Sequence, residues 1–325
     1  MDRLFRIRIR PRGPWRTPWQ ADTIAGLLCW MCVRTEGETV LRKEIIEPML
    51  AGEPPFVLSD AFPGDLLPTP LAVRMGDWPP SLRKTVKRAA WLRPEAFTRV
   101  CRGEPLSVDD LSTGYPIIES DQTRNTIDRA IDTTGAEGAL FTLTEYLLAS
   151  GTALREGLGE LSIYARVHPA ATDLLLGLFD ELAAVGYGAD AAVGKGAFDF
   201  PGGSAQLESV DSSIGSVSGQ ASSLVILSTF QPKSGDPARG YWESFVKFGK
   251  LGPGIAADVF EKHPIVLLRP GACFAVSAEA PAYLGRAIPM DEFLVPEVVR
   301  ILRDRGTEVI HPAFGLAIPA HMRIE

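Results

Sequence analysis

The chain has 325 residues, of which 46% are hydrophobic and 22% are charged, as in globular proteins of one or two domains. No apolar run reaches the roughly 18–20 residues that a membrane span needs, and no apolar stretch of a secretory signal follows the arginine-rich N-terminus. Four cysteines are too few for a disulfide scaffold in a chain of this length. We therefore expect a cytoplasmic protein without a membrane partner.

The net charge is −7, but the basic residues are concentrated in two segments. The first sixteen residues contain six arginines and one acid, Asp2. Residues 83–102 contain seven basic residues and one acid, Glu95. Basic patches on an acidic body can hold a polyanion locally and leave acidic surface for protein partners. The alternative is that both runs are ordinary solvated faces.

Hydrophobic periodicity predicts the elements of the first half. Leu4–Arg10 alternates apolar and arginine side chains, which is typical of a strand with one buried and one cationic face. A helix follows at Asp22–Arg34, capped by Thr17 or Asp22. The other predicted elements are a strand at Phe56–Ser59, a basic helical or irregular insertion at Pro79–Glu104, a polar loop at Gly114–Arg129, strands at Leu140–Tyr146 and Leu161–Val167, a helix at Ala170–Val185 and a strand at Ala197–Phe200.

A stretch rich in glycine and serine at 202–223 is the best candidate for a domain boundary. The elements predicted beyond it are a strand at Leu224–Phe230, a hairpin at Tyr241–Lys250, strands at Ile265–Leu268 and Cys273–Val276, a helix at Pro296–Arg305 and a closing strand at Phe314–Ile318. Strands mixed with hairpins favour an α+β fold. We predict an N-terminal domain at 1–205, with an insertion at about 79–130, and a C-terminal domain at 218–325.

The sharpest motif is a glycine-rich loop after the second long helix. Gly186, Gly188, Gly194 and Gly196 lie close together with Lys195, so the backbone can approach a ligand and present N–H groups. A helix precedes the loop and a strand follows it, the reverse of the order in dinucleotide-binding folds. The spacing is also one residue too long for a P-loop, with glycine where a hydroxyl should hold magnesium. A plain glycine-rich turn is the alternative.

This helix, loop and strand resemble the signature segment of the repeat-associated RNA-binding proteins, or RAMPs, of CRISPR effector complexes. Further segments are similar to one branch of that family, the Csm-type subunits that cap the 5′ tag of the guide RNA in type III-A complexes. Those segments are Pro14–Gly26, Pro55–Pro63, Arg124–Arg129, Leu268–Gly271 and Phe314–Pro319. The similarity covers both halves of the chain.

The resemblance implies tandem ferredoxin-like (RRM-like) domains and a non-catalytic subunit that caps the 5′ repeat-derived tag of the CRISPR RNA. The implied partners are CRISPR RNA, the large polymerase/cyclase subunit and a backbone RAMP subunit, with target RNA contacted indirectly. The implied RNA-binding residues are Arg16, Thr17, Asp22, Thr23, Arg124, Asn125, Arg129, Gly186, Gly188, Gly194, Lys195 and Gly196. A thumb that wedges between guide and target is expected in the basic insertion, at Lys84, Lys87 and Arg88. Further phosphate contacts are expected from Arg6, Arg8 and Arg10 on an open sheet face, unless the helices cover that face.

The alternative from another class is a metal-independent endoribonuclease of the same superfamily. Metal-free RNA cleavage needs a general base and a general acid, often histidine. In sequence, no histidine lies in the first loop or beside the glycine-rich loop; the four are His168, His263, His311 and His321. Cys29 and Cys32 lie in an apolar helical pattern without a second ligand pair, which indicates buried thiols. We predict no catalytic residue, no metal and no cofactor.

Overall fold

The structure, a computed structural model, describes residues 3–112, 116–125, 127–128, 133–134, 140–149, 159–210, 214, 217, 219–252, 262–277 and 279–324. Within these residues the α-helices are α1 (Ala21–Thr35), α2 (Glu38–Leu41), α3 (Glu47–Ala51), α4 (Leu71–Met75), α5 (Arg83–Arg88), α6 (Pro94–Cys101), α7 (Thr172–Val185) and α8 (Pro296–Asp304). None of the helices in these ranges is both long enough and apolar enough to cross a bilayer.

The strands of the same residues are β1 (Leu4–Pro11), β2 (Phe56–Pro63), β3 (Leu67–Pro68), β4 (Trp91–Leu92), β5 (Leu111–Ser112), β6 (Ile117–Asn125), β7 (Ile127–Asp128), β8 (Thr133–Thr134), β9 (Leu140–Leu148), β10 (Leu161–Val167), β11 (Phe198–Asp199), β12 (Glu208–Ser209), β13 (Ser223–Ile226), β14 (Gly240–Tyr241), β15 (Ser244–Lys247), β16 (Ile265–Leu268), β17 (Cys273–Ala275), β18 (Tyr283–Pro289) and β19 (Ile310–Ala320). Helices and strands are mixed along the chain, so the predicted α+β class is confirmed.

The first half is built on an antiparallel sheet in the order β11–β1–β10–β2, with β12 also paired to β1. Helix α1 joins β1 to β2, and α7 joins β10 to β11, so each helix connects two strands that have a third strand between them. The two helices pack against each other. Ile7 and Ile9 of β1 and Leu28 of α1 are fully buried in the core. The alternation in β1 and the spacing in α1 therefore predicted these elements correctly.

The arginines of β1 do not form the open cationic face that the sequence predicts. Arg6, Arg8 and Arg10 each have a guanidinium nitrogen within 3.3 Å of a carboxylate oxygen. The acids are Asp65, Glu160, Asp199 and Glu208. These partners come from loops and from strands β11 and β12, far away in sequence, so no local pattern indicated them. The paired face is a poor candidate for phosphate binding.

The second half contains an antiparallel sheet in the order β14–β17–β13–β19–β18. Strands β18 and β19 flank α8 but pair directly with each other, from Tyr283 opposite Leu316 to Pro289 opposite Ile310. The predicted hairpin at Tyr241–Lys250 is wrong, because β14 pairs with β17 while β15 pairs with β16. The two residues between β14 and β15 are tryptophan and glutamate, which lack the backbone freedom that a tight hairpin turn needs.

The predicted polar loop at Gly114–Arg129 is wrong over most of its described length. Strand β6 pairs with β9 over nine residues, from Ile117 opposite Leu148 to Asn125 opposite Leu140. Much of this two-stranded ribbon is in contact with solvent: Leu140 is 72% exposed and Ile118 is 46% exposed. Strand prediction relies on alternation between a buried and an exposed face, and a ribbon without a well-buried face carries little of that signal.

The two halves share one hydrophobic core instead of packing as separate bodies. The largest cluster contains Ile24 and Leu58 from the first half together with Leu227 and Phe314 from the second. The predicted bounds at 1–205 and 218–325 remain predictions. The glycine- and serine-rich stretch between them does not separate two independent cores.

A buried carboxylate, Asp60, also ties the halves together. One of its oxygens accepts the backbone N–H groups of Ala21 at 2.9 Å and Thr229 at 2.6 Å, and the other accepts the Thr229 hydroxyl at 2.8 Å. Burial raises the pKa of Asp60 to about 6 against the opposing effect of these donors. Asp60 therefore accepts a backbone N–H from the first turn of α1. Neither Thr17 nor Asp22 caps this helix, contrary to the sequence-based prediction.

Candidate nucleic-acid interface

The loop from Gly186 to Gly196 combines packed glycines with an exposed tip. A Cβ on Gly196 would lie 2.0 Å from the Tyr187 carbonyl oxygen, and one on Gly188 would lie 2.6 Å from the Thr17 side chain. Gly194 has φ +85° and nothing within 4 Å of the position of a Cβ. The neighbouring Val193 is 72% exposed. The first two glycines thus allow close packing, and the third lies where a ligand can approach.

Many backbone N–H groups of this loop bond to the protein itself. Gly194 donates to the Ala191 carbonyl at 3.0 Å, and Lys195 donates to the Asp190 carbonyl at 3.1 Å. Gly196 donates to the Pro14 carbonyl at 2.9 Å. These bonds fix the loop and leave few N–H groups for a ligand. The sequence-based expectation of a backbone cradle is therefore weakened.

The segment after β1 holds the loop in place. The Trp19 and Tyr187 rings are stacked with centroids 3.7 Å apart, and the Tyr187 hydroxyl donates to the Pro18 carbonyl at 2.7 Å. The backbone N–H of Ala189 donates to the Thr17 hydroxyl at 2.9 Å. Thr17, predicted as a binding residue, therefore helps to fix the position of the loop through its hydroxyl.

A buried acid, Glu145, forms ion pairs with two of the predicted RNA-binding cations. The Lys195 ammonium lies 2.9 Å from one oxygen of Glu145, and the Arg124 guanidinium lies 3.2 Å from the other. Glu145 is only 5% exposed, whereas the Arg124 side chain is 42% exposed. Two cations around one acid leave a surplus positive charge beside the exposed tip of the loop. An incoming phosphate would meet cations that are already positioned.

A third predicted cation joins this group through Asp190. The Arg16 guanidinium lies 2.6 Å from a carboxylate oxygen of Asp190, whose carbonyl oxygen accepts the Lys195 N–H. We call Arg16, Arg124 and Lys195 the basic cluster. Trp15 and Tyr146 exchange two backbone hydrogen bonds, which holds the β6–β9 ribbon against the segment after β1.

The remaining predicted RNA-binding residues divide into three groups. Asn125 lies beside Arg124 at the end of β6 and is exposed. Arg129 lies outside the described residues. Asp22 and Thr23 are not part of the basic cluster, because both contact the Lys247 ammonium, at 2.7 Å from each. Asp22 is buried in an ion pair with Lys247, so its carboxylate does not face a ligand and the prediction that it binds RNA is corrected.

The sequence reasoning missed Glu145 and Asp190, the two acids that assemble the basic cluster. Glu145 is 21 residues from Arg124 and 50 residues from Lys195, and Asp190 is 174 residues from Arg16. A single sequence contains no signal for such contacts.

The predicted thumb residues lie elsewhere, on the short helix α5. Lys84, Lys87 and Arg88 are all exposed there. Their role against target RNA remains a prediction.

His168 and His311 each contact a residue outside the basic cluster, and Cys29 and Cys32 lie in helix α1. His168 is exposed, and its Nδ1 accepts the N–H of Ala170 at 3.3 Å. His311 lies buried with its Nε2 3.0 Å from Asp22, and burial lowers its pKa. Cys32 is a buried free thiol, as predicted, and Cys29 is half-buried. Across the ranges that the structure describes, no group of three or more histidine, cysteine or acidic side chains is placed to hold a metal.

Comparison with known proteins gives a result at the level of fold. No protein-family model matches the chain, and no curated protein matches its sequence. A chain in a crystal structure of a Csm1–Csm4 cassette in complex with pppApA matches with a TM-score of 0.59 and 16% identity, covering 99% of each chain. A chain in a Csm3–Csm4 subcomplex of the type III-A CRISPR–Cas interference complex matches with a TM-score of 0.57 and 10% identity, covering 95% of this chain and 99% of that one.

The chain shares the fold of a Csm-assembly subunit. The resemblance seen in the sequence motifs is thereby confirmed at the level of fold, over almost the whole length of the chain. At identities of 10–16%, the roles of individual residues depend on the geometry of this chain.

The glycine-rich loop allows a matched test of its packing. We expect Gly196→Ala to lower the free energy of unfolding by about 2–4 kcal/mol, since it combines a left-handed backbone with a Cβ clash. Gly194→Ala has the same backbone requirement but open space around its Cβ, so we expect about 1 kcal/mol. Urea denaturation measures both values, and equal losses would show that the packing at Gly196 is not as described.

Proposed function

We propose that this chain is a non-catalytic RNA-binding subunit of a type III CRISPR interference complex. In this proposal it holds the 5′ repeat-derived tag of the CRISPR RNA and links the large polymerase/cyclase subunit to the backbone subunits. Its fold recurs in a Csm1–Csm4 cassette and in a Csm3–Csm4 subcomplex. Csm4 is the component common to both assemblies, which supports a position between the large subunit and the backbone.

The connectivity of the first half supports an RNA-binding fold. Its two strand–helix–strand units interleave in one sheet, the split βαβ pattern of ferredoxin-like domains. In the second half the strands that flank α8 are direct neighbours, which does not support a second copy of that pattern. The proposal therefore assigns the ferredoxin-like platform to the first half.

The observation that carries the proposal is the basic cluster at the exposed loop. Arg16, Arg124 and Lys195 come from three distant parts of the chain and are brought together by Asp190 and Glu145. Single-stranded RNA is held by cations along its backbone and by contacts to splayed bases. Phosphates of the tag would lie against the cluster, with the amide of Asn125 available to a base edge.

The proposal includes no covalent chemistry on the RNA. A nuclease would need an acid and a base placed together at the scissile bond. Of the described histidines, His168 accepts the N–H of Ala170 and His311 contacts Asp22. The basic cluster contains no histidine.

A footprint of the guide RNA tests the proposal. The effector complex is reconstituted with and without this chain, and the accessibility of the tag to single-strand nuclease is measured. We expect protection of the tag only when the chain is present, with an unchanged pattern at the 3′ end of the guide as the internal control. Equal protection in both samples would overturn the proposal. Cleavage of repeat RNA by the purified chain, lost in His168→Ala, would favour the nuclease instead.

A further inference from the structure

A cleft of about 620 Å³ opens between the region of α4 and α5 and the second half of the chain. The residues that matter here are Arg74, Trp78, Arg83, Lys87, Tyr241 and Arg323. None of them belongs to the basic cluster. Ligand pockets usually have volumes of about 300–1,000 Å³, so the cleft has room for a small ligand.

The lining of the cleft is strongly cationic. Four of its residues are arginine or lysine, and its acid is Asp77. Arg83 lies 3.8 Å from Asp77, which is fully exposed, and Arg74 lies 3.5 Å from Glu243, which is half exposed. Long, exposed ion pairs of this kind contribute little to stability. An anion that entered the cleft would compete with them at small cost.

The cleft is also lined by two aromatic residues, Trp78 from the first half of the chain and Tyr241 from the second. The Trp78 indole N–H donates to the Val73 carbonyl at 2.8 Å, and the Arg83 Nε donates to the Trp78 carbonyl at 3.1 Å. The first bond fixes the indole and the second holds the Trp78 backbone, while the ring stays only half-buried. Positioned aromatic rings beside cations suit a ligand that is both flat and anionic.

We propose that this cleft binds a nucleotide, with the base against Trp78 and the phosphates on the arginine and lysine side chains. Stacking of a base on an aromatic ring and pairing of phosphate with guanidinium are both favourable. A free nucleotide and a nucleotide within an RNA strand share this chemistry. The site is separate from the basic cluster and goes beyond the proposed capping of the tag.

The test uses the full-length chain and ATP as the probe, with binding measured by isothermal titration. Arg83→Ala combined with Lys87→Ala should weaken ATP binding by about tenfold or more, as expected when charge-assisted hydrogen bonds are lost. The matched control is Lys43→Ala with Arg93→Ala, which removes the same charge from exposed positions outside the cleft. We expect the control to change ATP binding less than about twofold. Trp78→Leu should weaken ATP but not inorganic triphosphate, and Trp78→Phe should retain ATP binding.

Several outcomes would overturn the proposal: equal losses in the control, triphosphate binding as tightly as ATP, a hexaglutamate peptide binding as tightly as ATP, or no saturable binding at about 1 mM ATP. A parallel titration of wild type and of the Arg83→Ala, Lys87→Ala variant with a short single-stranded RNA identifies the source, because only the loss caused by the variant reports on the cleft. The ligand with the larger loss, ATP or RNA, is the physiological class. Thermal unfolding confirms that each variant is folded. The footprint of the tag depends on other residues, so failure here leaves the capping proposal standing.

Discussion

Asp22→Ala should lower the free energy of unfolding by about 3–5 kcal/mol, the cost of leaving a buried charge without its partner. The Lys247 ammonium lies 2.8 and 2.7 Å from the two Asp22 oxygens, and its side chain is only 18% exposed. His311 lies 3.0 Å from the same carboxylate. Lys247 and His311 belong to the second half of the chain, and Asp22 belongs to α1. The substitution therefore removes polar contacts between the two halves. Urea denaturation at pH 7 measures the loss.

The control for this prediction is Asp22→Ala combined with Lys247→Met. The second change removes the Lys247 ammonium that Asp22→Ala leaves buried without a carboxylate partner. We therefore expect the double variant to recover about half of the lost free energy of unfolding. A loss below about 1 kcal/mol in the single variant would contradict a buried ion pair at this position.

The pH dependence of stability gives an independent check on the same ion pair. Burial acts to raise the pKa of Asp22, but Lys247 and His311 outweigh it and lower the pKa to about 2. A carboxyl with a depressed pKa stabilises the fold fully above its ordinary value of 3.8 and loses that contribution as the pH falls toward 2. The difference in stability between wild type and Asp22→Ala should therefore shrink between about pH 4 and pH 2.

The second large effect concerns RNA. Arg124→Gln and Lys195→Gln together with Glu145→Gln should weaken binding of a tag-bearing guide by on the order of 100-fold, as expected for two lost phosphate contacts. The third change is needed because Glu145 is buried, and removing both cations alone would leave its charge unpaired. Filter binding at fixed salt, with the tag-bearing RNA and a tag-less RNA, measures the effect.

Glu145→Gln alone is the matched control for this triple variant. It releases Arg124 and Lys195 from their shared acid, so the affinity for the tag should stay the same or rise. The slope of the logarithm of the binding constant against the logarithm of the salt concentration should become shallower in the triple variant, by the amount expected for about two lost phosphate contacts. It should not change in this way in the control. If both variants lost affinity equally, the cluster would be structural and not an RNA contact.

The sequence was most informative where a residue's own neighbours decide its structure. Alternation in β1 and helical spacing in α1 and α7 depend on local periodicity, and the structure has all three within one or two residues of the prediction. The glycine-rich loop was also visible, because left-handed backbone at Gly194 and Gly196 needs glycine.

The sequence was misleading where the decisive contact is distant. The resemblance implied that Asp22 binds RNA, but its carboxylate is buried against Lys247 and His311, more than 200 residues away. The alternating arginines of β1 predicted an open cationic face, but in the structure acids from a loop and from strands β11 and β12 pair with them. Charge patterns predict which groups are present, whereas the fold decides which of them face a ligand.

Crosslinking tests the central claim most directly: that the exposed loop after α7 holds the tag. The guide RNA carries 4-thiouridine at single positions of the 5′ tag, and crosslinked peptides from the reconstituted complex are identified by mass spectrometry. We predict crosslinks to the loop between Gly186 and Gly196 and to the end of β6 at Arg124 and Asn125. Crosslinks from every tag position to other subunits, with none to this loop or strand, would contradict it.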